Sequence, residues 1–400
     1  MTSRQPSGLR TSLTVVVIGL TGSLACGKAD APRNADTTAP AMAPAPSVDA
    51  SYDSVTLERV QEGYPDHVIT ALRRRADTVI KRAKMSAPVT ESIRAQIQSV
   101  VVAGRTWPSH VITVAFNGGS ATLKGTIAAA VGDWSRSGAV QFDFWTDPSK
   151  TRFRSWATTD EAYQADIRIS FGNGGHWSVV GLDARDTSIA KPGQATMNFA
   201  GFARFLPTNW RPTVLHEFGH ALGVEHEHRN PRVACAAAFR WDDDPGYEHT
   251  PADASTAYTA DAHGRRPGVF TYLGGPPNNW SREKVEFNMG KLPFDKVYIA
   301  SVFDPHSIML YSFVPWLFRD GENSACYTTL GANSVLSDED RRAAAAAYPG
   351  TVADRTKFET RVNALIARRI KGIVNSANDQ AKLSSAIGAM RNSVSVVKDR

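Results

Sequence analysis

Apolar residues recur along the chain at two spacings, and the change from one to the other marks its elements. Residues 51–103 carry them at helical intervals: Ile69, Leu72, Val79 and Ile80, then Ile93, Ile97 and Val100. From Trp107 the period shortens. Residues 110–116 (HVITVAF) alternate as a strand that Gly118-Gly119 ends, and residues 120–134 (SATLKGTIAAAVGDW) are Ala-rich and amphipathic, which predicts a long helix. Residues 140–144 and 165–171 (ADIRISF) alternate as strands, and residues 196–199 (TMNF) form another, introduced by Pro192-Gly193. Strand, long helix, several strands and a second helix make an α/β order of elements. Near the end, Ser337 is placed to cap a helix with Asp340 at its third position, a carboxylate version of the capping box, and Pro349-Gly350 stops it. Residues 351–400 return to helical spacing through Phe358, Val362, Leu365, Ile366, Ile370 and Ile373, with Arg361, Arg368, Arg369 and Lys371 on the polar side. They read as a helical tail that packs on the domain; a membrane-surface helix is the alternative.

The first residues have the layout of an export signal. Arg4 and Arg10 precede a short apolar run, residues 13–20 (LTVVVIGL), and Ser23-Leu24-Ala25 supplies small residues where signal peptidases require them. Cleavage there makes Cys26 the first mature residue and lowers the formal charge of +6 by the two arginines. Cys26 is placed as in the lipid-attachment box of bacterial lipoproteins, although Ser23 stands where that box prefers Leu. Residues 28–48 are rich in Ala, Pro, Asp and Thr, the composition of a disordered tether that would lift a globular domain off a membrane surface. Of three cysteines, a lipidated Cys26 would leave Cys235 and Cys326 as an even pair, suited to an oxidising compartment. The expected organisation is a signal peptide (1–25), an anchor and tether (26–50), a helical pro-segment or extension (51–103), a main domain (104–350) and the tail (351–400). The expected location is extracytoplasmic, in the cell envelope or secreted. No dense Lys/Arg cluster interleaved with aromatics suggests nucleic acid, and a monomer is expected.

Chemistry concentrates in residues 214–231, VLHEFGHALGVEHEHRNP. His216 and His220 are four apart, so on a helix both imidazoles leave one face and can share a Zn²⁺ ion. Glu217, beside the first, can reach a water on that ion. Gly223 suits the left-handed residue that ends a helix, so the chain can turn and return His226 as a third ligand. The full pattern should arise by chance in roughly one such sequence in seventy thousand, which sets it apart from scattered histidines.

This segment matches the metzincin motif HExxHxxGxxH, and Glu227 after the third His is similar to astacins and their bacterial relatives. Residues 307–311 (SIMLY) resemble the Met-containing turn of that clan, with Met309 as the apolar floor under the imidazoles. Tyr311 matches the tyrosine that astacins and serralysins bring to the zinc and swing away to stabilise the transition state. The resemblance covers about residues 105–350. It implies an α/β (α+β) metzincin-like catalytic domain: a twisted sheet with two long helices above a zinc cleft, and an irregular lower subdomain ending in the helix of residues 336–349. The sheet's edge strand would hold extended substrates. Two departures stand out. His228-Arg229-Asn230-Pro231 follows the motif, which is more like a bacterial astacin- or matrixin-like branch. Neither the matrixin cysteine switch nor the astacin F-x-G-D switch is found, and Tyr64-Pro65-Asp66 is only a distant echo of the latter.

The residues and the resemblance together imply a zinc metalloendopeptidase acting on protein or peptide substrates. His216, His220 and His226 would hold one Zn²⁺, Glu217 would be the general base, and Tyr311 would donate to the oxyanion. The alternative is a surface adhesion or binding lipoprotein that keeps zinc for structure alone, its site closed by a further ligand. Asp242-Asp243-Asp244 would suit Ca²⁺, but a solvated turn before Pro245-Gly246 is the preferred reading. His228 fits no ligand spacing and reads as a neighbour of the site or a surface residue, and His176, in a Gly-rich run, as a loop residue. Cys235 and Cys326 are expected to bond to each other in the lower subdomain, closing a loop of about ninety residues.

Overall fold

The strand over residues 110–116 becomes an inner strand of a five-stranded sheet. A computed structural model describes residues 62–102, 105–138, 140–172, 174–230, 232–250, 258–290, 303–329 and 331–395. The export segment, Cys26 and the tether lie outside them. The elements in chain order are α1 (Asp66–Ala83), α2 (Glu91–Val102), β1 (Val111–Phe116), α3 (Ala121–Ser137), β2 (Gln141–Asp143), β3 (Ile167–Ser170), β4 (Trp177–Ser178), β5 (Met197–Asn198) and α4 (Trp210–Ala221). Beyond them come α5 (Cys235–Ala238), α6 (Val269–Gly274), α7 (Arg282–Met289), α8 (Asp338–Ala347), α9 (Val352–Ile373) and α10 (Ala377–Ser395).

The sheet order is β2-β1-β3-β5-β4. β1 pairs in parallel with β2 (Val111 opposite Gln141) and with β3 (Val114 opposite Ile167), and β3 pairs in parallel with β5. β4 closes one edge antiparallel to β5, with Trp177 opposite Asn198. This short strand is the one element of the sheet that the period-two pattern does not predict. Two residues cannot establish an alternation. Asn198 Nδ2 donates to the Gly172 and Gly175 carbonyls and so fixes the glycine-rich loop ahead of β4.

α3 starts where the pattern places it, with Ser120 accepting from the Leu123 amide at 3.1 Å. It lies against α4, and the Trp134 indole donates to the Leu215 carbonyl at 2.8 Å. The far end of α4 is held by two more donors. Trp107 Nε1 bonds the Ala221 carbonyl and the Tyr348 hydroxyl bonds that of Leu222, satisfying acceptors that a helix end leaves open.

Apolar side chains collect into three main clusters. The largest lies between the sheet and α3, α4 and α8, and it takes in Val68, Ile69 and Leu72 of α1. A second is built by Val79 and Ala83 of α1 with Ile97 and Val100 of α2, against Val362, Ile366 and Ile370 of α9 and Leu383 and Ile387 of α10. The third fills the lower part around Phe239, Leu273, Val285, Phe313 and Phe318, and it contains the bonded pair Cys235–Cys326, with Cα atoms 5.6 Å apart. The tail is thus two helices, and its apolar stripe is buried against α1 and α2. Among the described residues no helix is long and apolar enough to cross a membrane.

The acidic run ahead of Pro245 has its own protein partners. Asp244 takes Arg240, the Arg266 amide and the Arg266 guanidinium, while Asp243 accepts from the Gly268 amide and the Thr271 hydroxyl. With those oxygens engaged by guanidinium, amide and hydroxyl donors, the Ca²⁺ reading finds no support there.

Candidate metal centre

The site is built on the last turns of α4. His216, Glu217 and His220 are all buried, and Gly223 has φ +93°, the left-handed conformation that lets the chain leave the helix and bring His226 back. The two helical imidazoles are aimed by backbone carbonyls: His216 Nδ1 lies 2.7 Å from the Ile308 oxygen, and His220 Nδ1 lies 2.7 Å from the Val224 oxygen. Bonding at Nδ1 leaves Nε2 of each ring to face a common point, as in metal sites whose ligand tautomer is set from behind. His220 Nε2 and His226 Nε2 are 2.9 Å apart, and the ring centroids of His216 stand 4.9 and 5.3 Å from those of His220 and His226.

The floor is the turn over residues 307–311. Met309 is fully buried. Its carbonyl accepts from the Glu227 amide at 2.9 Å, which ties the segment of the third histidine to the turn. The Glu227 carboxylate in turn accepts from Asn230 and from the Asp304 amide. Asp340 holds the turn from the other side, accepting from the Ser307 hydroxyl at 2.6 Å and the Ile308 amide at 2.9 Å. Gly219, inside the motif, lets helix and floor approach: a Cβ there would meet the Met309 sulfur at 2.4 Å.

Tyr311 reaches the same space. Its ring centroid is 4.2 Å from that of His226 and 4.5 Å from that of His228. His228 is buried, with Nε2 3.2 Å from the Asn288 carbonyl, and burial followed by the Arg229 charge pushes it down to about 3. It is therefore a neutral buttress behind Tyr311 and His226. His176 is also buried, packed on Phe202, and burial lowers it to about 4. His176 thus lies in a loop, as read, with its side chain turned into the core.

One residue here is not among those the sequence motif singles out. The Glu62 carboxylate stands among the three imidazoles, 2.5 Å from His226 Nε2, 3.4 Å from His216 Nε2 and 3.5 Å from His220 Nε2. The Tyr311 hydroxyl donates to the Glu62 carbonyl at 2.7 Å and also contacts its carboxylate. Burial alone would raise Glu62, but the His226 charge and the histidine hydrogen bonds outweigh it and hold the carboxyl well below its usual range. Its sequence signal is slight: an acidic residue before a glycine, just ahead of a helix.

Glu217 is the opposite case. It is fully buried, neither carboxylate oxygen has a protein partner, and burial followed by the Glu62 charge pushes it well above the usual carboxylate range. A buried carboxylate without partners is costly and rare. Its presence beside converging imidazoles fits a centre completed by a metal ion and its water. The donor set agrees: Glu62, His216, His220 and His226 each offer an atom within 4.8 Å of the others, and His216 Nε2 has no hydrogen-bond partner. Nitrogen donors with one carboxylate at four positions suit zinc.

No family model matches the chain, and no curated protein matches it. Among solved structures it is similar to myroilysin in two: one 27% identical, spanning 63% of this chain and 98% of that one with a TM-score of 0.43, the other 26% identical, spanning 61% and 86% with a TM-score of 0.37. It is also similar to high choriolytic enzyme 1, a hatching enzyme zinc-protease from Oryzias latipes (medaka fish), at 15% identity over 65% of this chain and 92% of that one, with a TM-score of 0.32. Likeness of this extent leaves the site to be read from its own residues.

Proposed function

We propose that the chain is a zinc-dependent endopeptidase that hydrolyses protein or peptide substrates, with His216, His220 and His226 as metal ligands, Glu217 as general base and Tyr311 as oxyanion donor. The observation that carries this reading is Glu217, whose two oxygens are buried and unpartnered beside three converged imidazoles. A zinc ion there would supply Lewis acidity and a water acidic enough to lose a proton near neutrality. The protein's own groups do the rest. Glu217, with its raised proton affinity, takes the proton of the attacking water and returns it to the leaving amine. The Tyr311 phenol, kept protonated by burial and then by Glu62, donates a hydrogen bond to the developing oxyanion, a contribution of up to a few kcal/mol. As an edge strand of the sheet, β4 would offer backbone groups to an extended peptide. The Cys235–Cys326 bond supports an oxidising, extracytoplasmic setting.

A second reading has an observation of its own. Glu62 closes the ligand set, as a structural zinc site in a non-hydrolytic surface protein would require. Glu217 separates the two, because a closed structural site gives a buried, unpartnered carboxylate nothing to do. The experiment is Glu217→Gln in the zinc-loaded protein, assayed on a peptide library after exposure of the cleft by limited proteolysis. Zinc content should match the parent while hydrolysis falls by at least about a hundredfold. Retained hydrolysis would remove Glu217 as the base.

A further inference from the structure

The helical body built from both ends of the chain has a charge unlike that of the domain it packs on. Residues 66–102 and 351–395 hold 15 Lys and Arg against 6 Asp and Glu, a net of +9, while residues 103–350 hold 23 against 26, a net of −3. Within the body the excess is uneven. The turn after α1 is fixed by Asp379 near the start of α10, which accepts from the Ser86 and Ala87 amides, and Lys382 Nζ donates to the Lys84 carbonyl at 3.2 Å. Residues 374–376 lead directly from the end of α9 into α10. The last turns of α1 and of α9 therefore meet at one end of the body. Residues 78–91 and 366–382, which form that end, hold seven Lys and Arg against Glu91 and Asp379.

Lys81, Arg82, Lys84, Arg368 and Lys371 are all exposed there, and among the described residues none of the five is in ion-pair reach of a carboxylate. Elsewhere the protein pairs such cations. At the start of the same α9, Arg355 meets Glu359 and Lys357 meets Asp354, and between α1 and α2 Arg94 meets Asp77. Helices α7 and α8 carry the pairs Arg282–Glu286 and Arg342–Glu339. Helix dipoles favour a cation in the last turn of each helix, which accounts for Lys81, Arg82 and Lys371 one helix at a time. They do not account for two such ends side by side without counter-charge, where like charges repel. Asp379 is already engaged by two amides and lies 3.8 Å from Lys382. No aromatic residue stands in either stretch, so the stacking platform of a single-stranded nucleic-acid site is missing. Small and apolar residues, Met85, Ala87, Pro88 and Val89, follow the cations of α1 instead.

We propose that this end of the helical body docks on a membrane surface bearing anionic phospholipid headgroups. The cations meet headgroup phosphates while the helices keep their apolar stripes in the core they share, so no helix inserts. Each Lys or Arg held at such a surface adds to the attraction, and salt weakens it within a Debye length. The export signal and tether read at the start of the chain bring the body beside a bilayer, and a basic patch is a second signal that fixes how an anchored protein sits there. Helix α1 has 18 residues, roughly 27 Å of helix, and runs from the cleft entry at Tyr64 to the basic end. The docked end is thus a helix length from the cleft entry.

The test uses the full chain carrying Cys26→Ser, so that no acyl group lends affinity, with vesicles of phosphatidylcholine alone or mixed with phosphatidylglycerol. A patch variant combines Lys81→Gln, Arg82→Gln, Arg368→Gln and Lys371→Gln. A control of equal net charge combines Lys150→Gln, Arg152→Gln, Lys191→Gln and Arg319→Gln, exposed cations outside the helical body. All eight side chains lie on the surface, so both variants keep the fold. Cosedimentation should show parent and control bound only to the vesicles that contain phosphatidylglycerol, and released from them at high salt. The patch variant should bind at least about tenfold more weakly. No binding by the parent, equal binding to both kinds of vesicle, or equal losses in patch variant and control would each overturn the docking surface. Binding of heparin or duplex DNA by the parent, without binding to vesicles, would overturn the membrane as its partner. None of these readings involves zinc or hydrolysis, so each leaves the chemistry proposed for the metal centre untouched.

Discussion

A methyl group at position 219 would sit 2.4 Å from the Met309 sulfur and 3.1 Å from the Trp134 ring. Two effects oppose each other in Gly219→Ala. Alanine gains about 1 kcal/mol of helix propensity, but overpacking a filled core costs about 1–3 kcal/mol. Met309 and Trp134 have no exposed surface to retreat toward, so the clash should win. The expected outcome is a lowered melting temperature and weaker zinc retention, because relief must push the floor away from the helix that carries two ligands. A melting temperature equal to or above the parent's would show that the turn yields freely. The same position marks how far the sequence could be read. His216, Glu217, His220, Gly223 and His226 are legible because helix geometry and one turn fix their mutual placement. The need for Gly219 depends on Met309, and the role of Glu62 on His226, 164 residues away. No local spacing encodes either contact.

At the scale of elements, α8 does two jobs through one residue. Its first turn has the capping box the sequence announces, with Ser337 accepting from the Asp340 amide and Asp340 accepting from the Ser337 amide. The same Asp340 carboxylate carries the Ser307 hydroxyl and the Ile308 amide, and the Ile308 carbonyl aims His216. A local cap therefore reaches His216, a proposed metal ligand, through three linked bonds. Asp340→Ala should lower stability by at least about 2 kcal/mol, since it leaves buried donors unpaired, and should weaken zinc retention as well. Asp338→Ala, in the same helical turn but exposed, should stay within about 0.5 kcal/mol. Chemical denaturation of both variants, with zinc release measured in parallel, checks the pair; equal effects would reduce Asp340 to a helix cap. Four of the five strands and the long helices are legible from periodicity. β4 is not, because its partner strand rather than its own pattern makes it a strand.

Over the whole molecule, α1 joins the core beneath the sheet to the core shared with the C-terminal helices. The sequence presents residues 351–400 as a tail, and a stripe at helical spacing cannot say which surface covers it. The structure gives that surface as α1 and α2, from the other end of the chain. A further tie sits at the start of α9, where Arg355 donates to the Trp107 carbonyl just before the sheet begins. Deleting residues 351–400 would expose Val79, Ala83, Ile97 and Val100, which are almost wholly buried. At about 1.5–3 kcal/mol for each large aliphatic side chain returned to water, even partial exposure costs several kcal/mol. That is a large share of the roughly 5–15 kcal/mol by which proteins are usually stable. The truncated protein should therefore melt at a markedly lower temperature and bind a hydrophobic dye such as ANS, with α1 and α2 the first helices to lose amide protection. Zinc bound at His216, His220 and His226 should persist at low temperature, because those ligands are positioned by α4 and the turn at Met309 rather than by the tail. An unchanged melting curve without dye binding would return residues 351–400 to a dispensable appendage, and α1 and α2 would then have to hold their place through the main core and the Arg75–Asp183 pair alone.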